Sequence, residues 1–155
     1  MRRYLVWKVI RLVLVGAVAL FALAQAIPYG RSHHNPPVKT VIVWDSPRTE
    51  LLARGACLDC HSNLTAWPWY TTVAPISWLA QHDVDDGRNS VNLSTLDLRS
   101  ARAGDIIGEI GEKVRSGEMP PLQYRLIHSN ARLSKAEREQ LAAGLEQTLK
   151  AMAGR

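Results

Sequence analysis

The 155-residue chain has two cysteines, three residues apart, with a histidine beside the second: Cys57-Leu58-Asp59-Cys60-His61. No other feature restricts the fold as much. A pair this close cannot staple a small secreted framework, which needs bridges between distant segments. On a helix, positions i, i+3 and i+4 share one face. One turn therefore presents two thiols and an imidazole side by side, and whatever they hold must lie against that turn.

Two thiols one turn apart can each add to a vinyl group of a porphyrin, and the adjacent imidazole then reaches the iron from the same side. Cys-x-x-Cys-His is the attachment signature of c-type haem. Three other readings compete with it. A thioredoxin-like redox pair needs a βαβ setting, which the sequence does not offer. Zinc needs four ligands, usually from a second close Cys/His pair, and none is present. A chance match would hold nothing. The N-terminus favours haem, because covalent attachment is made outside the inner membrane.

Leu12 to Ala24 run without a polar side chain, and the apolar stretch reaches back to Tyr4 if Lys8 and Arg11 snorkel to the headgroups. Thirteen residues alone are short of the ~20 that span a bilayer. Arg2, Arg3, Lys8 and Arg11 precede Ile27 with no acid among them. A positive flank before the apolar run keeps the N-terminus inside and exports the rest. Ala24-Gln25-Ala26 also has the small-x-small form of a signal-peptide cleavage site. The expected location is thus the inner membrane, single-pass with the haem domain in the periplasm; the alternative is a soluble periplasmic protein after cleavage near Ala26. Beyond Ala26 the charge is nearly balanced, 15 Lys/Arg against 14 Asp/Glu, with no basic cluster of the kind a nucleic-acid surface needs.

The sequence divides into an anchor or signal segment (1–27), an extended linker (28–46) and a haem-binding domain (47–155). Val38 to Trp44 reads as a short strand-like piece. Ser46-Pro47 starts a helix expected to run to about Cys60. A loop from Ser62 to Ala74 carries Trp67-Pro68-Trp69-Tyr70, and Pro75 can open a helix ending at Gly87 as a left-handed cap. Asp105 to Arg115 is helical, with Gly117 just beyond. Ser134 and Glu137 form a capping box before Leu141, Leu145 and Leu149, which repeat every four residues. The fold class is mainly α.

A sixth position on the iron needs its own ligand. Met119, His82, His128 and Met152 are the downstream candidates. Met119 lies 58 residues after His61, long enough for the chain to wrap the haem edge. Pro120 biases Met119 toward extended backbone, and a thioether raises the reduction potential. The plain alternative for Met119 is core packing. His33 and His34, in the linker, read as solvated, or as ligands to a second metal or haem on a partner. Trp67, Trp69, Tyr70 and Trp78 read as core packing around a large flat ligand, with Trp69 or Tyr70 donating to a haem propionate. The His61 ring N–H needs an acceptor, and the Pro75 carbonyl is the expected one.

Taken together, Ile27-Pro28-Tyr29-Gly30-Arg31, Asn35-Pro36-Pro37-Val38, the haem pentad with Ser62-Asn63, Trp67-Pro68-Trp69-Tyr70, Ala74-Pro75-Ile76-Ser77-Trp78, Gly87-Arg88, Met119-Pro120-Pro121, Tyr124, His128 and Ala131-Arg132-Leu133-Ser134 form one pattern. It resembles the haem-binding domain family of small, N-terminally anchored c-type cytochromes. The resemblance implies a cytochrome-c-like helical domain around one covalent haem, with Met119 as distal ligand. His34, Leu93 and Leu96 depart from it, which bears on the packing of the 89–97 loop.

The expected role is one-electron transfer by a monohaem c-type cytochrome with His61/Met119 ligation, not catalysis. Its partners would be the inner membrane and periplasmic or membrane redox proteins, with no nucleic acid. The alternatives are a peroxidase-like haem enzyme or redox/gas sensor with a labile sixth ligand, recruiting His82 or His128, and a haem module serving a single partner.

Overall fold

The computed structural model describes residues 2–154. Seven α-helices occur among them: α1 (Arg2–Ala24), α2 (Pro47–Ala56), α3 (Leu58–His61), α4 (Ile76–Ser90), α5 (Ala103–Ser116), α6 (Leu122–Ile127) and α7 (Lys135–Ala153). Two 3₁₀ turns, Trp69–Thr72 and Ser129–Ala131, complete the regular structure, and the described residues contain no strand. The mainly helical class expected from the sequence is what the chain adopts.

The chain forms two compact units. The first comprises the residues up to His34 together with Trp67–Asp83. Its α1 has a mean hydropathy of 2.2 in its most apolar window, and none of that window is buried. At about 1.5 Å per residue its 23 residues extend ~34 Å, long enough to cross a bilayer. Beyond its end, the Gln25 carboxamide grips the backbone of Ala74 from both sides. Gln25 Nε2 donates to the Ala74 carbonyl and Ala74 N–H donates to Gln25 Oε1, each at 3.0 Å. Arg31 closes the corner by donating to the Gln25 carbonyl at 2.7 Å. His33 is not solvated as expected: its ring stacks on Trp67 at 4.6 Å, and its Nε2 lies 3.1 Å from the Thr71 carbonyl.

The second unit comprises Asn35–Ala66 and the chain from Val84 onward. The start of α2 is as the sequence predicts, with Ser46 as N-cap accepting from Thr49 N–H and Pro47 in the first turn. The helix does not continue to Cys60. It stops at Ala56, Cys57 leaves helical geometry at φ −128°, and α3 restarts as a single turn over Leu58–His61. α7 opens on the expected capping box of Ser134 and Glu137. Its Leu141, Leu145 and Leu149 are at most 2 % exposed. Leu141 and Leu145 pack with Leu52, Ala53 and Val114, so α7 meets both α2 and α5. Leu149 packs with Leu58 and Ile107, which seats the haem-motif turn on the same core.

Val38 to Trp44 forms no strand. A strand needs a partner with free backbone groups, and the N–H groups of Lys39 and Thr40 converge on one acceptor, the Ser94 carbonyl. In the 89–97 loop Leu93 is buried beside Leu58, with Leu96 against the same cluster, so aliphatic side chains fill the space there.

Candidate functional site

The motif turn is held by the residues that follow it. Ser62 Oγ donates to the Leu58 carbonyl at 2.6 Å, closing α3. Asp59, between the cysteines, accepts from Tyr124 Oη at 2.6 Å and from Ala66 N–H at 2.9 Å. Arg88 Nε donates to the Ser62 carbonyl, and its Nη2 to Asn35 Oδ1 and Thr65 Oγ1, so one guanidinium ties three segments together. Burial pulls the Arg88 pKa below its ordinary value.

The expected left-handed cap at Gly87 is absent. α4 runs on to Ser90, and Gly87 is buried inside it. The residue serves a close approach instead: a Cβ built there would lie 2.5 Å from the Cys60 carbonyl oxygen and 2.9 Å from Cys60 Cβ. The backbone of α4 therefore rests directly on the second cysteine. Gly87→Ala is expected to cost about 1–3 kcal/mol, as overpacking does, and to lower the yield of haem-loaded protein. Denaturant unfolding and haem content per chain measure the two effects.

Gly117 is left-handed, as expected for the residue ending α5, with φ 78° and its N–H donating to the Val114 carbonyl. Two residues on, Met119 N–H donates to the Lys113 carbonyl at 3.1 Å, which folds the chain back over the end of α5.

These elements enclose a cavity of about 270 Å³ within the second unit. Cys57 and His61 line it from the motif. Ile106, Glu109, Ile110, Lys113 and Val114 line it from α5 and recur at i, i+3, i+4, i+7 and i+8, one continuous helix face. Val91 and Leu93, Met119, and Leu145 of α7 complete the main walls. Cys60 belongs to the same turn as Cys57 but packs against Gly87. Of the four candidates for a sixth ligand, Met119 alone lines this cavity. His82 is exposed on α4, Met152 packs near Leu149, and His128 stacks on Tyr124 at 3.8 Å with its Nδ1 beside the Tyr124 carbonyl.

The His61 Nδ1 has a backbone carbonyl partner, as a ligating imidazole requires. The partner is Val91, at 3.0 Å, and not Pro75. The Pro75 oxygen is already taken by the N–H groups of Trp78 and Leu79 at the start of α4. The bond to Val91 fixes the ring and leaves Nε2 for a metal. A second bond, Leu93 N–H to the His61 carbonyl at 2.8 Å, holds the same loop to the motif. Neither contact is legible in the sequence, because Val91 and Leu93 are ordinary apolar residues in an irregular segment.

Trp67, Trp69, Tyr70 and Pro75 belong to the first unit. Trp69 does not pack inside: it is 78 % exposed, touching Tyr70 edge-on at 6.0 Å. Thr71 is the buried member of their 3₁₀ turn, donating to the Pro68 carbonyl at 2.7 Å. With three residues per turn, Trp69 then falls on a different face.

Burial, reinforced by Cys60, pushes the Cys57 thiol up to about 12. A zinc ligand or an exchanging redox thiol acts as thiolate, which these surroundings oppose. No group of three or more His, Cys, Asp or Glu able to hold a metal ion occurs among the described residues. A neutral thioether, by contrast, suits an apolar wall. The thiol, imidazole and thioether, set among Ile106, Ile110, Val114 and Leu145, are donors and walls that fit a haem.

Residues 19–147 match the family model described as a haem-binding domain. No curated protein matches the chain, and no solved structure does.

Proposed function

The chain belongs to the haem-binding domain family, and on that premise we propose that it is a monohaem c-type cytochrome carrying single electrons on the periplasmic face of the inner membrane. Cys57 and Cys60 would hold the group by thioether bonds, and His61 and Met119 would be its axial ligands. The observation that carries this reading is the cavity that brings Cys57, His61 and Met119 together against Ile106, Ile110 and Val114 of α5.

When bound, the haem supplies a one-electron iron couple. The chain does the rest. Val91 orients the His61 ring and makes its Nε2 a better donor. Ile106, Ile110, Val114 and Leu145 would keep water from the ring, which with a Met ligand would raise the potential. Lys113 and Glu118, both lining the cavity, pair with each other. His82 and His128 do not line the cavity, whereas Met119 does, which favours Met119 as the ligand. The partners would be redox proteins of the periplasm or membrane, with no nucleic acid.

Met119→Ala tests the reading. The purified wild type should be low-spin, show the weak far-red band of thioether ligation and bind no carbon monoxide when reduced. The variant should keep its covalent haem, lose that band, bind carbon monoxide and fall in potential. A high-spin wild type that binds carbon monoxide freely would point to the enzyme or sensor class instead.

A further inference from the structure

We propose that the 3₁₀ turn Trp69–Thr72 is a foot resting in the headgroup layer of the membrane that α1 crosses, with Trp69 as the inserted side chain. The inference rests on reading α1 as a membrane span. A helix of ~34 Å across a hydrocarbon core of ~30 Å ends at the water boundary. The next residue, Gln25, holds Ala74 by two hydrogen bonds of 3.0 Å. The loop is therefore pinned where the bilayer surface begins. Trp69 lies five positions before Ala74, no more than about 15 Å along the chain once the 3₁₀ turn is allowed for.

What the loop presents there matches that boundary. Trp69 is 78 % exposed, an arrangement costly in water but ordinary where a ring sits among headgroups with its N–H wet. Ile27, Tyr29, Ile76 and Leu79 of the same unit are also exposed. Ile27–His34 and Trp67–His82 contain no Asp or Glu, Arg31 is their one Lys or Arg, and Asp83 closes the unit. A loop without carboxylates around Trp69 adds no repulsion from anionic lipid there. The clamp and the aromatic foot would give this first unit a set tilt on the membrane.

The test uses the full haem-loaded chain, labelled with 5-fluorotryptophan, in nanodiscs of mixed phosphatidylcholine and phosphatidylglycerol. Trp69→Phe assigns the Trp69 fluorine signal. Trp7, in α1, is the lipid control. Doxyl-labelled lipid should broaden Trp69 and Trp7, while a soluble gadolinium chelate should leave Trp69 sharp. In Gln25→Ala the lipid broadening of Trp69 should be lost and that of Trp7 kept. Broadening of Trp69 by gadolinium alone, with Trp7 still broadened by lipid, overturns the foot and leaves the span standing. A Trp69 signal untouched by both agents means protein covers it, and also overturns the proposal. A Trp7 signal insensitive to lipid removes the span, and the foot with it.

Discussion

Changing Cys57 and Cys60 together to serine is expected to release all of the haem into acidified acetone, while the wild type retains it in the protein pellet. A hydroxyl does not form the thioether, so only His61 and Met119 would remain to hold the group. Axial bonds break when the imidazole is protonated in acid; thioether bonds do not. The exchange also has a structural cost. Cys57 faces apolar surroundings that keep its thiol neutral, and a serine hydroxyl with no partner there loses about 1–3 kcal/mol. Circular dichroism on the same preparations separates the two effects. A helical but colourless variant is the expected product, and a variant that still carries acid-stable haem would end the attachment assignment.

Leu145→Ala has the largest expected effect on stability. Leu145 is 2 % exposed, packs with Leu52, Leu141 and Val114, and lines the cavity beside Cys57 and Met119. Truncating a leucine in such a position costs about 2–5 kcal/mol, the spread reflecting how far neighbours can close the void. With a urea slope of ~1–3 kcal/mol per molar, the midpoint of unfolding should fall by ~1 M or more. Leu145→Met, which keeps the volume, should cost less than about 1.5 kcal/mol. Because the same side chain walls the cavity, the alanine variant should also admit water and lower the potential, which a redox titration would show. A loss under ~1 kcal/mol would mean that α7 does not carry the core.

Much of the helical plan was readable because its signals are local. Ser46-Pro47, the Ser134/Glu137 box and Gly117 each act within a few residues of themselves, and each stands where its chemistry predicts. Leu141, Leu145 and Leu149 declare a buried face by spacing alone, and all three are buried. Other readings failed where the reason for a residue lay in another segment. Gly87 looks like a helix end, but Cys60 is what requires it. Val38 to Trp44 looks like a strand, but the N–H groups of Lys39 and Thr40 share the single Ser94 carbonyl. α6 was missed because Met119-Pro120-Pro121 reads as a stop, and its six residues carry no buried stripe to reveal a new start.

The chemistry of the site was written into adjacent residues. Two thiols and an imidazole within five positions point to a haem by their spacing, because that spacing is set by neighbouring residues alone. Nothing so local could say that Val91 would orient His61, that Arg88 would tie Asn35 to the Ser62–Thr65 stretch behind the motif, or that Met119 would share a cavity with Cys57 and be the one sixth-ligand candidate to do so. Those relations depend on where α4, α5 and α7 come to rest against the motif. That is set by burial summed over many side chains, and no single stretch of sequence contains it.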